Sequence, residues 1–313
     1  MIVWNGLESV PAASGPFVAT IGNYDGVHLG HRRILDAVAE LAGKSRRTSL
    51  VVTFDPHPLA VVAPARVPKL LATRRQKLDA IAAAGIDAVL VVAFDAATAA
   101  LEGERFLTEL LLPRVPLAAL RVGAGFRFGR GRDGDLALLR RVGAERGFDV
   151  DGVPHVEVAG ETVSSSAIRT AVEAGDVERA AALLGRPFAV EGPVSRGDGR
   201  GRAMSFPTAN VDVENELLPR RGVYVTETIA LASRHPSVTN VGTRPTFGGE
   251  TLVVETHLLD FDDDLYGERV EVRFLARLRD ERRFSGMDEL ADQIARDRAA
   301  ASSWFQRLPE PAR

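Results

Sequence analysis

Residues 22–31 read Gly-Asn-Tyr-Asp-Gly-Val-His-Leu-Gly-His. An apolar run, Pro-Phe-Val-Ala-Thr-Ile over 16–21, precedes them, and Ile34, Leu35, Val38 and Leu41 follow at helical spacing. A strand, a glycine-rich turn and a helix are therefore expected in that order. His28 and His31, three residues apart, share one side of the helix start. Unpaired backbone N–H groups and the positive end of the helix dipole lie at the same place. Glycine lets a backbone approach a phosphate closely. The combination suits the triphosphate of ATP better than a metal ion, because no cysteine or carboxylate set completes a coordination sphere.

The rest of the first part continues the alternation. Apolar strands are expected over 17–21, 49–54, 88–94 and 117–122, and helices over 32–41, 75–84, 104–111 and 136–147. Strands that alternate with helices make a parallel sheet covered by helices. Ligands of such sheets sit at the carboxyl ends of the strands. The loop at 22–31, the strand exit Thr-Phe-Asp-Pro-His-Pro at 53–58 and the glycine-rich stretch at 123–134 would then share one edge. Two further helices are expected over 165–174 and 177–184.

At Gly185-Arg186-Pro187-Phe188 the texture changes. Apolar residues now alternate over 224–229, 253–258 and 270–274, with turn residues between them. That pattern points to an antiparallel barrel or sandwich, closed by a helix over 287–301 with Leu290, Ile294 and Ala301 on one face. The expected fold is a doubly wound parallel-sheet domain over 1–186 followed by an antiparallel β-barrel domain over 187–313.

Composition narrows the chemistry. The 313 residues contain no cysteine, so disulfides, thiolate metal sites and cysteine nucleophiles are excluded. The net charge is −3 and neither part is a basic polyelectrolyte, so nucleic acid is not an expected partner. The first residues carry no basic, long apolar leader, and no apolar run reaches bilayer length. A cytoplasmic protein with no membrane partner is expected, and nothing points to a particular oligomeric state.

Several motifs carry a resemblance. The string at 22–31 resembles the signature of the HxGH nucleotidyltransferase superfamily, in the form used by the adenylyltransferase module of prokaryotic bifunctional riboflavin kinase/FAD synthetases. Val-Ser-Ser-Ser-Ala-Ile-Arg at 163–169 resembles the same family's Ser-Ser-Thr-x-Ile-Arg, with Ser166 in place of Thr. Gly-Arg-Gly-Arg-Ala-Met-Ser-Phe-Pro-Thr-Ala-Asn at 199–210 resembles the riboflavin kinase motif Gly-Arg-x-x-Gly-Phe-Pro-Thr-Ala-Asn, with Ser205 in place of Gly.

The resemblance implies roles. His28 and His31 would neutralise charge at the phosphates, and Gly22, Asn23, Asp25, Ser164 and Arg169 would hold ATP. His57, in the 53–58 motif where Asp55 replaces the usual Glu, would border the flavin, and Phe128 would stack on it. Gly125 stands where relatives carry Asp or Asn. In the second domain Thr208 and Asn210 are oxygen donors suited to Mg²⁺ and ATP phosphates. Glu255, in Val-Glu-Thr-His-Leu-Leu-Asp-Phe at 254–261, matches the family's proposed base for the ribityl hydroxyl. Riboflavin, FMN and ATP are the implied substrates, and FAD the final product.

Overall fold

The computed structural model describes residues 1–195, 208–246, 249–282 and 284–307. Its contacts divide the chain into two compact units. Met1–Lys69 and Arg74–Ser164 form the first, and Leu70–Thr73 and Ser165–Arg313 the second.

The first unit is a six-stranded sheet in the order β1-β4-β3-β2-β5-β6, every pair parallel. Its elements run β1 (Ile2–Asn5), β2 (Phe17–Ile21), α1 (Leu29–Ser45), β3 (Ser49–Asp55), α2 (Pro58–Val62), α3 (Arg74–Ala82), β4 (Ala88–Ala93) and α4 (Ala96–Ala100). Then come α5 (Gly103–Arg105), which continues as a π-turn over Phe106–Leu111, β5 (Leu117–Gly123), α6 (Leu136–Arg146) and β6 (Asp149–Val153). The short hairpin β7 (Glu157–Val158) and β8 (Glu161–Thr162) completes it. All five residues of β2 are buried, as a central strand covered on both faces requires. Apolar clusters fill both faces: Leu50, Val52 and Leu90 on one, Val51, Val89 and Leu35 on the other.

Strand order decides where a ligand goes. From β2 the chain proceeds outward through β3 and β4, then returns to the other side of β2 with β5. That reversal opens a crevice at the carboxyl ends of β2 and β5. The 22–31 loop leaves one of these strands and the 123–134 stretch leaves the other.

The second unit begins with α7 (Ser165–Ala174) and α8 (Val177–Leu184). Its barrel strands are β9 (Phe188–Ser195), β10 (Ala209–Val211), β11 (Gly222–Ala230), β12 (Ser233–Thr246), β13 (Gly249–Leu258) and β14 (Arg269–Arg279), and α9 (Met287–Gln306) follows. These six strands close in the order β10-β13-β12-β11-β14-β9. α8 lies against β9 and β14. Leu70–Thr73 joins this unit through two carboxylates: the Leu70 N–H donates to Glu216 Oε2 at 2.8 Å, and the Thr73 hydroxyl to Glu191 Oε1 at 2.6 Å.

Inside the barrel the side chains are unusually polar. Thr226, Thr228, Ser237, Thr239 and Thr256 are all fully buried. Their hydroxyls bond one another, Thr226 to Thr239 at 2.7 Å, Thr226 and Thr228 to Ser237 at 2.8 Å, and Thr239 to Thr256 at 2.9 Å. Such burial is tolerated because each hydroxyl has a partner. Outside, α9 covers Val223, Val225, Val238 and Ala276 with Ala301 and Trp304.

Candidate active sites

In the first unit, the turn after β2 is held in an unfavourable backbone conformation. Tyr24, Gly26 and Val27 have φ of 52°, 80° and 41°. A β-branched residue at positive φ is strained. The strain is sustained by packing, since Tyr24 and Val27 are 1% and 4% exposed. The Tyr24 hydroxyl also shares a 2.6 Å hydrogen bond with Thr20, and burial raises its pKa. Gly22 donates its N–H to Val52 O at 3.0 Å, and a Cβ there would lie 3.0 Å from the Tyr24 ring.

The turn delivers His28 as the N-cap of α1. Its Nδ1 accepts the N–H of His31 at 3.2 Å. In the neutral ring the hydrogen is then on Nε2, which makes that nitrogen the donor. The two imidazoles stack with centroids 3.6 Å apart and planes 13° from parallel. Gly30 explains itself here: a Cβ would lie 3.2 Å from His28 Nδ1 and Cε1, so a side chain between the histidines would press on the ring. The Nδ1 of His31 is buried without a hydrogen-bond partner. Burial, with His28 beside it, holds the His31 pKa well below the usual histidine range. Two stacked imidazoles at the start of a 17-residue helix, with the His31 ring held neutral by burial, offer a donor surface suited to phosphate oxygens.

Several residues expected from the sequence gather around this pair. Asp25 is buried. The Asn23 amide lies 3.2 Å from His57 Nε2, which joins the 22–31 loop to the 53–58 strand exit. His57 caps α2 by accepting the Leu59 N–H on Nδ1 at 3.2 Å. The Asn23 atom in this contact is the amide nitrogen, Nδ2. The carbonyl of Val163 would be 3.8 Å from a Cβ at Gly30, so Ser164 is next in the chain to a residue at the histidine pair. Arg169 stands on α7, in the second unit. Phe128 is stacked on Phe126, centroids 5.4 Å apart at 14°, and meets Phe106 edge-on at 6.0 Å.

The sequence reading missed the cations that face this loop. Arg74 Nη1 is 3.6 Å from Asp55 Oδ2 and also donates to Asn5. Lys77, one turn further along α3, is largely enclosed. Burial lowers its pKa, and the carboxylates of Asp55 and Asp25 oppose that shift. The available signal was electrostatic: Arg74 and Arg75 open a helix whose N-terminus disfavours cations. Phe126, in the same glycine-rich stretch as Phe128, stacks on it.

In the second unit the residues expected to act, Asn210 and Glu255, lie in a row across strands. Asn210 on β10 is directly opposite Glu255 on β13, and Glu255 is opposite Asn240 on β12. Directly opposed residues project from the same face. Their neighbours Val211, Val254 and Val241 are buried in the barrel, so the row is on the outer surface. Thr208 immediately precedes β10, while the glycine- and arginine-rich residues 199–207 lie outside the described residues. A hydroxyl at Thr208 and an amide at Asn210, with Glu255 beside them, are hard oxygen donors of the kind Mg²⁺ accepts together with substrate phosphates and water. A cleft of about 720 Å³ is also present in this unit, with Leu218, Arg221, Leu252 and Glu281 among its walls.

The comparisons with known proteins agree with this geometry. A family model described as FAD synthetase matches residues 10–167, and one described as riboflavin kinase matches residues 184–305. The bifunctional riboflavin kinase/FMN adenylyltransferase of Escherichia coli (strain K12) is 42% identical over 296 residues, covering 94% of each chain. The protein of the same name from Bacillus subtilis (strain 168) is 34% identical over 302 residues, covering 93% of each. A Streptococcus pneumoniae crystal structure titled as a macrolide-efflux protein superposes with TM-score 0.87 at 26% identity, covering 97% of this chain and all of that one. The chain belongs to the bifunctional riboflavin kinase/FMN adenylyltransferase family.

Proposed function

We propose that this enzyme makes FAD from riboflavin in two steps, each in its own domain, with the catalytic division between 1–186 and 187–313. The observation that supports the reading is the presence of two separate side-chain clusters, the His28–His31 stack at a helix start and the Asn210–Glu255 row across the barrel strands.

In the second domain the terminal ribityl hydroxyl of riboflavin attacks the γ-phosphorus of ATP. Glu255 takes the hydroxyl proton, and the bond to ADP breaks. Thr208 and Asn210 would hold Mg²⁺ and the ATP phosphates. Mg²⁺ supplies charge neutralisation to the transferring phosphoryl group.

In the first domain an FMN phosphate oxygen attacks the α-phosphorus of ATP, and pyrophosphate leaves. No protein nucleophile is needed. His28 and His31 donate hydrogen bonds to the charge that develops on the phosphates. Gly22, Asn23, Asp25, Ser164 and Arg169 position ATP, while His57 borders the flavin and Phe128 stacks on it. The flavin-side and nucleotide-side residues already touch at Asn23 and His57.

The substrates are small molecules, and the reading assigns no nucleic acid partner. No helix among the described residues is long and apolar enough to cross a membrane, and we place the enzyme in the cytoplasm. Pure protein incubated with riboflavin and MgATP alone, with flavins resolved by chromatography, tests both activities. FMN followed by FAD supports the reading. Accumulation of FMN without FAD removes the adenylyltransferase assignment, and absence of both products removes the whole.

A further inference from the structure

We infer that His155 is a substrate-contacting residue of the adenylyltransferase domain, its imidazole standing over Gly125 and hydrogen-bonding the hydroxyls of the FMN polyol chain. The inference rests on the reading of the first domain as the adenylyltransferase, and adds to it a residue with no role so far.

The empty side of Gly125 is the first observation. A Cβ at that position would lie 3.2 Å from His155 Nε2 and 3.4 Å from its Cε1. The Gly125 backbone is not at positive φ, so its conformation does not call for glycine. What occupies the space is the end of the His155 ring. Gly125 is also where the chain departs from the motif it resembles. A polar group therefore reaches this spot from the β6 side instead of from the residue after β5.

Placement is the second. β5 and β6 run parallel with Gly123 beside Val153, and the Ala124 N–H donates to Val153 O at 2.9 Å. His155 follows two residues later, after Pro154, at the carboxyl edge where ligands of such a sheet sit. The other flank is tied as well. The Val163 N–H donates to Val156 O at 2.9 Å, and Val163 is the residue whose carbonyl lies by Gly30, at the histidine pair. The backbone on both sides of His155 is thus fixed, while its side chain is exposed.

The third is what stands on either side of Gly125. A Cβ at Gly123 would be 3.7 Å from Ile34, one turn beyond His31 on α1. In the other direction Phe126 stacks on Phe128. Gly125 therefore lies along the stretch that leads from the phosphate end of the site to the aromatic end. The part of FMN that joins its phosphate to its ring system is a polyol chain. Its hydroxyls both donate and accept, and a neutral imidazole has one nitrogen for each purpose.

The test follows FAD formation from supplied FMN and MgATP by the full chain. It compares His155→Ala, Gly125→Asn and the double variant with the parent, and includes His31→Ala as control. His155→Ala should raise KM for FMN about fivefold, the size of one neutral hydrogen bond. KM for ATP and kcat should stay within about twofold, as expected for a contact made equally before and during reaction. Gly125→Asn added to His155→Ala places an amide at the same spot and should recover most of the loss. In the parent the same substitution should gain nothing, because the ring already holds the place. Melting temperature and FMN formation report on folding in the same samples. A rise confined to FMN and relieved by Gly125→Asn supports the inference. An unchanged KM for FMN in His155→Ala overturns it, and so does a rise in KM for ATP alone. A rise for FMN that Gly125→Asn does not relieve also overturns it, because the ring then acts somewhere other than over Gly125. Full FAD synthesis by His31→Ala overturns the underlying reading instead.

Discussion

Arg279 grips Asp297 with two nitrogens, Nε at 3.0 Å from Oδ1 and Nη2 at 2.7 Å from Oδ2, and so fastens the end of β14 to α9. Gln293, one turn earlier on the helix, donates to the same carboxylate at 2.8 Å. The carboxylate side chain is only 9% exposed.

Removal of one partner from such an enclosed pair leaves the other uncompensated. Asp297→Ala should cost about 3 kcal/mol of the second unit's stability. The check is thermal or urea unfolding of the variant. A shift below about 0.5 kcal/mol would mean that the pair behaves as an exposed one.

His31→Ala should lower FAD synthesis by roughly a hundredfold, the usual scale for losing a donor to developing charge. FMN formation should be unchanged. The same residue gives a pH signature. Its folded pKa is depressed, so the unfolded state binds more protons between that value and the usual 6.5. His31 therefore costs nothing above pH 6.5, and stability falls as the pH drops from there towards the folded pKa. The variant should lose less stability than the parent over that acid window. Parallel stability profiles would show that the ring is protonated normally.

Glu255→Gln should lower FMN formation by roughly a hundredfold or more, because shape is kept and proton acceptance is lost. FAD formation from supplied FMN should continue. A merely exposed strand carboxylate would shift stability by no more than about half a kcal/mol and leave the rate alone. One kinase assay separates these outcomes by orders of magnitude.

The second unit should be most stable as a fragment when it starts at residue 165. α8 buries Val177, Ala180, Leu183 and Leu184, and a fragment starting at 187 lacks them. Each large apolar side chain lost from cover forfeits about 1.5 kcal/mol or more. Both fragments should phosphorylate riboflavin and neither should make FAD. The longer one should melt at a distinctly higher temperature, as circular dichroism would report. Equal melting temperatures would show that α7 and α8 contribute nothing to the barrel.

How much was legible depended on whether hydropathy alternated. β2, α7 and α8 have the bounds expected from the sequence, because each carries an apolar pattern without interruption. β6 was missed: Asp-Val-Asp-Gly-Val at a sheet edge has no apolar run. β12 was missed for a different reason. Its inward residues Ser237 and Thr239 are hydroxylic, and it contains Pro236 and Pro245, so it reads as a polar connection. The His28–His31 pair and Glu255 were legible because the motifs are local. Lys77 was not, since Asp55 and Asp25 come beside it only after distant segments are folded together.

The hydroxyl core of the barrel has a consequence for orientation. Side chains of a strand alternate between faces, so a slip of one residue turns every one of them over. For β13 such a slip would drive Glu255 into the sealed interior and turn Thr256 out to the surface. An oily interior would resist that exchange only by the cost of burying a charge. The hydroxyl mesh adds a keyed lock, since Thr256 fits its partners on β11 and β12 in one alignment alone. What looks like a wasteful core thereby acts as proofreading: it lets the barrel close only with its acid facing outward.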